Sequence, residues 1–168
     1  VEFDHAYVNY FLENAKVVVS SDNLKITGRD TIKIDGKMRV NAGDIKLDFV
    51  ESEKNLLFAP TIREEPPFLQ YELDVAISPN LYVRSEDALN NFDFKIAGNL
   101  QVRQQPRSLI EIYGTLEADG EYYVQGEEFE IQRGIIDFVD PKALPELNIF
   151  AETKKNEMTF RLNVRGPV

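Results

Sequence analysis

Residues 110–138 read IEIYGTLEADGEYYVQGEEFEIQRGIIDF, and this stretch decides the fold. Apolar residues take every second position at Ile110, Ile112 and Leu116, then at Phe129 and Ile131, then at Ile136 and Phe138. Glu111, Thr115, Glu117, Glu128, Glu130 and Asp137 stand between them. A period of two marks a strand with one apolar and one solvated face. Gly114, Gly120, Gly126 and Gly134 fall where such strands turn, bulge or admit a neighbouring backbone.

The same alternation extends outward on both sides. Upstream, Val17 and Val19 form one short run and Leu24 and Ile26 another. Thr31 to Ala42 then sets Ile32, Ile34, Met38 and Val40 against Lys33, Asp35, Lys37, Arg39 and Asn41. Ile45, Leu47 and Phe49 follow in phase after an expected turn at Gly43. Leu69, Tyr71, Leu73, Val75 and Ile77 predict a strand that stops at Pro79-Asn80. Phe92, Phe94, Ile96, Leu100 and Val102 predict the next. Downstream, Leu147, Ile149 and Ala151 are joined by a polar turn, 154–157, to Met158, Phe160, Leu162 and Val164. Gly36, Gly98 and Gly114 each precede apolar residues two and four positions on, a loose repeat that suits an elongated array.

Two segments break the rhythm. In residues 3–15, Phe3, Tyr7, Val8, Phe11, Leu12 and Ala15 recur at three- and four-residue spacing, which predicts a short capping helix. A detached amphipathic segment is the sharper alternative. Residues 51–68 hold Pro60, Pro66 and Pro67 beside Arg63-Glu64-Glu65. Proline cannot sit inside a paired central strand, so this is expected to be a surface loop. Alternation resumes after it, so the 168 residues are expected to form one domain.

Composition excludes several functions. Cysteine is absent, which removes disulfides and thiolate metal sites. A formal net charge of −10 opposes nucleic acids and anionic headgroups, leaving only apolar contact with lipid. Within these 168 residues neither a leader-like segment nor a bilayer-spanning apolar run is expected. Strand patterning that continues almost to the last residue is expected of an excised piece of a longer protein.

Motifs for chemistry are also missing. The sole histidine, His5, has no partner motif and reads as a surface residue. No Gly-x-Ser-x-Gly turn and no phosphate-binding glycine loop is present. Glu64-Glu65, Glu86-Asp87 and Glu127-Glu128 are adjacent pairs, and neighbours on a strand point to opposite faces. Asp137, Asp140 and Glu146 lack calcium-loop spacing. The expectation is therefore a protein without catalytic residues, metal or cofactor. The seven tyrosines and eleven phenylalanines belong to a core or groove, since no basic face accompanies them.

Strands that share one apolar face, with no alternating helices to cover it, exclude an α/β fold and favour antiparallel pairing. Three architectures bury such a face: a sandwich, a closed barrel, or one sheet curled into an open trough. Patterning alone favours a sandwich or barrel, because soluble proteins avoid an open apolar groove unless something occupies it.

Gly114, Leu116, Gly120, Tyr122, Gly126, Phe129, Ile131, Gly134, Ile136 and Phe138, followed by Pro145, Leu147, Ile149 and Ala151, form a pattern that resembles the C-terminal domain of TamB, in the AsmA-like, bridge-like group of envelope proteins. Which of Tyr122 and Tyr123 takes the family's aromatic position is left open by the spacing. The resemblance runs from about Ile32 to Val168. It implies an all-β domain built as a single curled antiparallel sheet, the open hydrophobic trough known as a β-taco. The apolar face then becomes a groove lined by Ile34, Met38, Val40, Ile45 and Leu47, by Leu73 and Val75, and by Phe92, Phe94, Ile96 and Leu100. Ile110, Ile112 and Leu116, then Phe129, Ile131, Ile136 and Phe138, continue it. Leu147, Ile149, Phe160, Leu162 and Val164 complete it.

The resemblance further implies a periplasmic module of a protein anchored in the inner membrane, facing an outer-membrane barrel of the TamA or BamA kind. The expected cargo is phospholipid, its acyl chains held in the groove. Templating of nascent outer-membrane strands by a sheet edge is the alternative. A structural or adhesive β-domain with a closed core is the reading from a different class, and a carbohydrate-active protein is disfavoured by the absence of tryptophan. Homodimers through an exposed edge, either the last strand or the one near Val17, are expected as well.

Overall fold

A computed structural model describes residues 2–3, 6–12, 14–47, 68–87, 91–124, 126–141 and 143–167, with backbone alone at 2–3, 6–12 and 22. The strands are β1 (Glu2–Phe3), β2 (Ala6–Leu12), β3 (Ala15–Thr27), β4 (Ile32–Lys46), β5 (Leu69–Glu86), β6 (Asn91–Gln104), β7 (Glu111–Val124), β8 (Glu127–Phe138), β9 (Glu146–Lys155) and β10 (Met158–Pro167). All ten join one sheet, ordered β1-β3-β4-β5-β6-β7-β8-β9-β10, with β2 also paired to β3. The two ends of that order do not meet, so the sheet is open, and the described residues form neither a second sheet nor a closed barrel.

The helix expected over residues 3–15 is not there: β1 and β2 occupy that segment, and no helix occurs among the described residues. Ala6 to Leu12 pairs antiparallel with Ser21 to Ala15. Its Tyr, Val, Tyr and Phe residues favour strand, and β3 offers ladder groups that need partners. His5 lies outside the described residues.

The expectation of purely antiparallel pairing also fails at one place. β4 and β5 run parallel, from Ile32 opposite Leu69 to Lys46 opposite Arg84. A parallel pair needs a crossover connection rather than a tight turn. The proline-rich loop predicted for 51–68 falls in that connection and, apart from Phe68, lies outside the described residues. Every other neighbouring pair is antiparallel.

β4 runs through Gly43 without the expected turn. β5 likewise does not end at Pro79-Asn80 but continues to Glu86. The register shifts between Ile77 and Leu81, so Pro79 sits in a bulge where the ladder already lacks bonds.

Curvature comes from glycines within the apolar series. Gly98 faces Leu116 and Gly114 faces Leu100 across β6 and β7. Their φ angles are 149° and 126°. A Cβ would stand 2.3 Å from the Thr115 carbonyl oxygen at Gly98 and 2.2 Å from that of Asn99 at Gly114. Only glycine takes this backbone without strain, and such kinks bend a sheet. The bend buries side chains that a flat single layer would leave wet: Ile96 is 5% exposed and Ala151 0%.

Candidate functional site

Register partners lie on the same face of a sheet, so the ladders show which side chains converge. Ile34 faces Tyr71, Met38 faces Val75, Val40 faces Ile77 and Ile45 faces Val83. Leu73 faces Val102 and Val75 faces Leu100, while Ile96 faces Leu81 and Phe94 faces Val83. Phe92 opposes Tyr122 and Ile112 opposes Val102. Leu116 opposes Ile136, Gly114 opposes Phe138 and Phe129 opposes Tyr122. Ile131 meets Ala151, Ile136 meets Leu147 and Gly134 meets Ile149. Leu162 meets Ala151, Val164 meets Ile149 and Phe160 meets Thr153. One apolar face thus crosses β4 to β10.

Two expected lining residues flank strands instead of sitting within them. Leu47 follows β4 and its N–H donates to the Arg84 carbonyl at 2.7 Å. Ile110 precedes β7 and is exposed. Leu81 and Ala118 were not anticipated, yet with Ile96 and Leu116 they form the buried centre of the face. Val40, Ile45, Ile77, Val83, Phe94, Leu100, Ile136 and Phe138 pack around it. The alternation Leu81-Tyr82-Val83 signals the first, but Pro79 just before it reads as a strand end and hides it.

Polar residues bracket this face. Ser85, opposite Phe92, is buried and its Oγ accepts from the Asp87 N–H at 3.3 Å. At the other end Gln104, opposite Tyr71, donates from Nε2 to the Ser108 carbonyl at 3.3 Å. Between them, on β6, the stripe from Phe92 to Val102 spans ~33 Å, about twice the depth of one leaflet's acyl layer. Phe92 and Phe94 stack with centroids 4.4 Å apart at its Ser85 end. The apolar side chains thin out toward the last strand, where Met158 is 58% exposed, Phe160 45% and Val164 40%.

The opposite face is charged and solvated. Lys33 pairs with Glu72 at 2.9 Å, and each holds the other in its charged form. Arg84 reaches both Asp44 and Asp93 at 3.0 Å. The Tyr123 hydroxyl donates to Glu121 at 2.5 Å, and this bond, together with desolvation and the neighbouring negative charge, pushes its pKa up to about 12. A depression of about 580 Å³ lies mainly over outer-face residues, among them Lys37, Arg39, Asp74, Asn99 and Tyr113. Met38, Val75 and Leu100 also line it, and it brings no catalytic set together. Among the described residues no three His, Cys, Asp or Glu side chains gather to hold a metal.

What the arrangement offers is a surface of apolar side chains about one strand-length deep, with no second layer over it among the described residues. Among the described residues no helix is long and apolar enough to cross a membrane. A search of curated proteins found no match. A family model described as the TamB C-terminal domain matches residues 7–168.

Proposed function

We propose that this chain, which belongs to the TamB C-terminal domain family, is a non-enzymatic periplasmic module that shields lipid acyl chains as phospholipid moves between inner and outer membranes. The observation that carries this reading is the apolar face of β4 to β10, bent around its glycines and, among the described residues, without a covering layer. Transfer of an acyl chain onto such a face gains ~0.8 kcal/mol per methylene, so one chain suffices for useful affinity. The net charge of −10 keeps anionic headgroups off and leaves chain burial as the source of binding. An inner-membrane anchor elsewhere in a longer protein, and an outer-membrane barrel of the TamA or BamA type as receiver, complete the proposal.

The experiment is capture of a fluorescent fatty-acyl probe by delipidated protein. Saturable uptake, lost in Ile112→Asp while the circular dichroism is unchanged, supports the reading. Folded protein that takes up no probe overturns it and leaves a structural or adhesive β-domain.

A second reading is favoured by one observation. The far edge of β10 has no partner among the described residues, so it offers ladder groups to a nascent outer-membrane strand. Binding of isolated strand peptides without uptake of acyl probe would favour that assembly role.

A further inference from the structure

Which backbone groups β10 leaves free follows from its hairpin with β9. Asn156 and Glu157 have φ of 49° and 67°, the signature of a type I′ turn, and Lys155 faces Met158 across it. The pair closing such a turn exchanges both ladder bonds, and bonded and non-bonded pairs then alternate. Met158, Phe160, Leu162 and Val164 therefore spend their N–H and C=O groups on β9. Thr159, Arg161, Asn163 and Arg165 turn theirs to the edge that has no partner among the described residues.

We propose that this edge pairs with the same edge of a second copy, antiparallel about a two-fold axis through Leu162. Three conditions select that register. An isologous contact must match the apolar face of one copy with that of the other, so odd positions meet odd positions. Like charges directly opposite destabilise a ladder, which rejects centring on Arg161, where the residue meets itself. It also rejects centring on Asn163, where Arg161 meets the second copy's Arg165. Centring on Leu162 sets Arg161 against Asn163 and Thr159 against Arg165, and it overlaps the full strand. The apolar side then brings Leu162 onto Leu162 and Phe160 onto Val164. Phe160 and Val164, 45% and 40% exposed in the single chain, gain apolar neighbours. Both apolar faces lie on one side of the joined sheet, so two troughs become one. The inference does not depend on lipid being the cargo.

The absence of cysteine makes the register directly readable. Leu162→Cys places two thiols at a non-bonded pair on the axis, within disulfide reach, whereas Asn163→Cys leaves them beyond it. Under mild oxidation, Leu162→Cys is expected to give a covalent dimer and Asn163→Cys to stay monomeric. Sedimentation of the unaltered chain from micromolar to millimolar concentration is expected to show dimerisation. Asn163→Pro removes one edge donor from each copy and should raise the dissociation constant about thirtyfold. Circular dichroism of that variant should be unchanged, because the β9 ladder does not use the Asn163 N–H. A chain that stays monomeric throughout, or cross-linking at 163 in preference to 162, overturns the proposal.

Discussion

Glu121 on β7 stands directly opposite Glu130 on β8, and Glu130 in turn faces Glu152 on β9. Asp93 extends the row on one side, and Arg161, 2.7 Å from Glu152, ends it on the other. Like charges in register weaken a ladder. Glu130→Lys converts two repulsive pairs into attractive ones. It should stabilise the fold by about 1 kcal/mol, raising the melting temperature by roughly 3 °C. Added salt should narrow the difference between variant and parent, which a thermal melt at two ionic strengths will show.

The two kinds of position on the apolar face should respond differently to charge. Ile96 is buried at the centre of the packed cluster, whereas Ile112 is only half-buried. Ile96→Asp should cost several kcal/mol and unfold much of the population, since the carboxylate has no partner there. Ile112→Asp keeps access to water and should cost about 1 kcal/mol. Equal, large losses in urea melts would mean that the face is closed in solution.

Glycines should separate by their surroundings more than by their φ. At Gly114 an added Cβ meets a backbone oxygen of the next strand, whereas at Gly126 (φ 82°) it meets nothing within 4 Å. Gly126→Ala should cost about 1 kcal/mol and Gly114→Ala about 3 kcal/mol or more. Similar chemical-denaturation midpoints for the two variants would remove the clash as the cause.

Tyr123 gives the fold an alkaline signature. Its pKa is raised in the folded state to about 12, above the ordinary 10, so its contribution is fully present below pH 10 and is lost between there and pH 12. Ultraviolet titration should show a late-ionising tyrosine that disappears in Tyr123→Phe. Glu121→Gln should shift that step back toward 10. An unchanged late step in Glu121→Gln would show that the hydroxyl is held by something else.

Much of this molecule was legible as alternation. The period of two placed Ile34, Phe94, Ile131 and Val164 on one face, because a strand allows each residue only two directions. What escaped were features that alternation does not encode. Tyr7, Val8 and Phe11 satisfy helical spacing as well as strand propensity, and pairing with β3 decides between them. Nothing in residues 32–46 distinguishes a parallel from an antiparallel neighbour. Pro79 looked like a terminator because a bulge, which accommodates it, leaves no mark of its own. The open face was the hardest to see, since alternation reads alike in a sandwich, a barrel and a trough. The family pattern and the order of strands in the sheet distinguish them.

The parallel β4–β5 pair has a consequence for the order in which the chain folds. From β5 onward each strand finds its partner next in sequence, so the six-strand meander assembles through nearby contacts. Joining β4 to it brings Ile32 onto Leu69, 37 residues away, and needs the closure of a long loop first. That pair is a kinetic seam. Pulse-labelled hydrogen exchange during refolding should protect the amides of β6 and β7 early, and the Ile32 amide, bonded to the Phe68 carbonyl, late. Until the seam closes, the nascent chain carries a naked β5 edge beside the apolar face, and association at this stage competes with completing the trough.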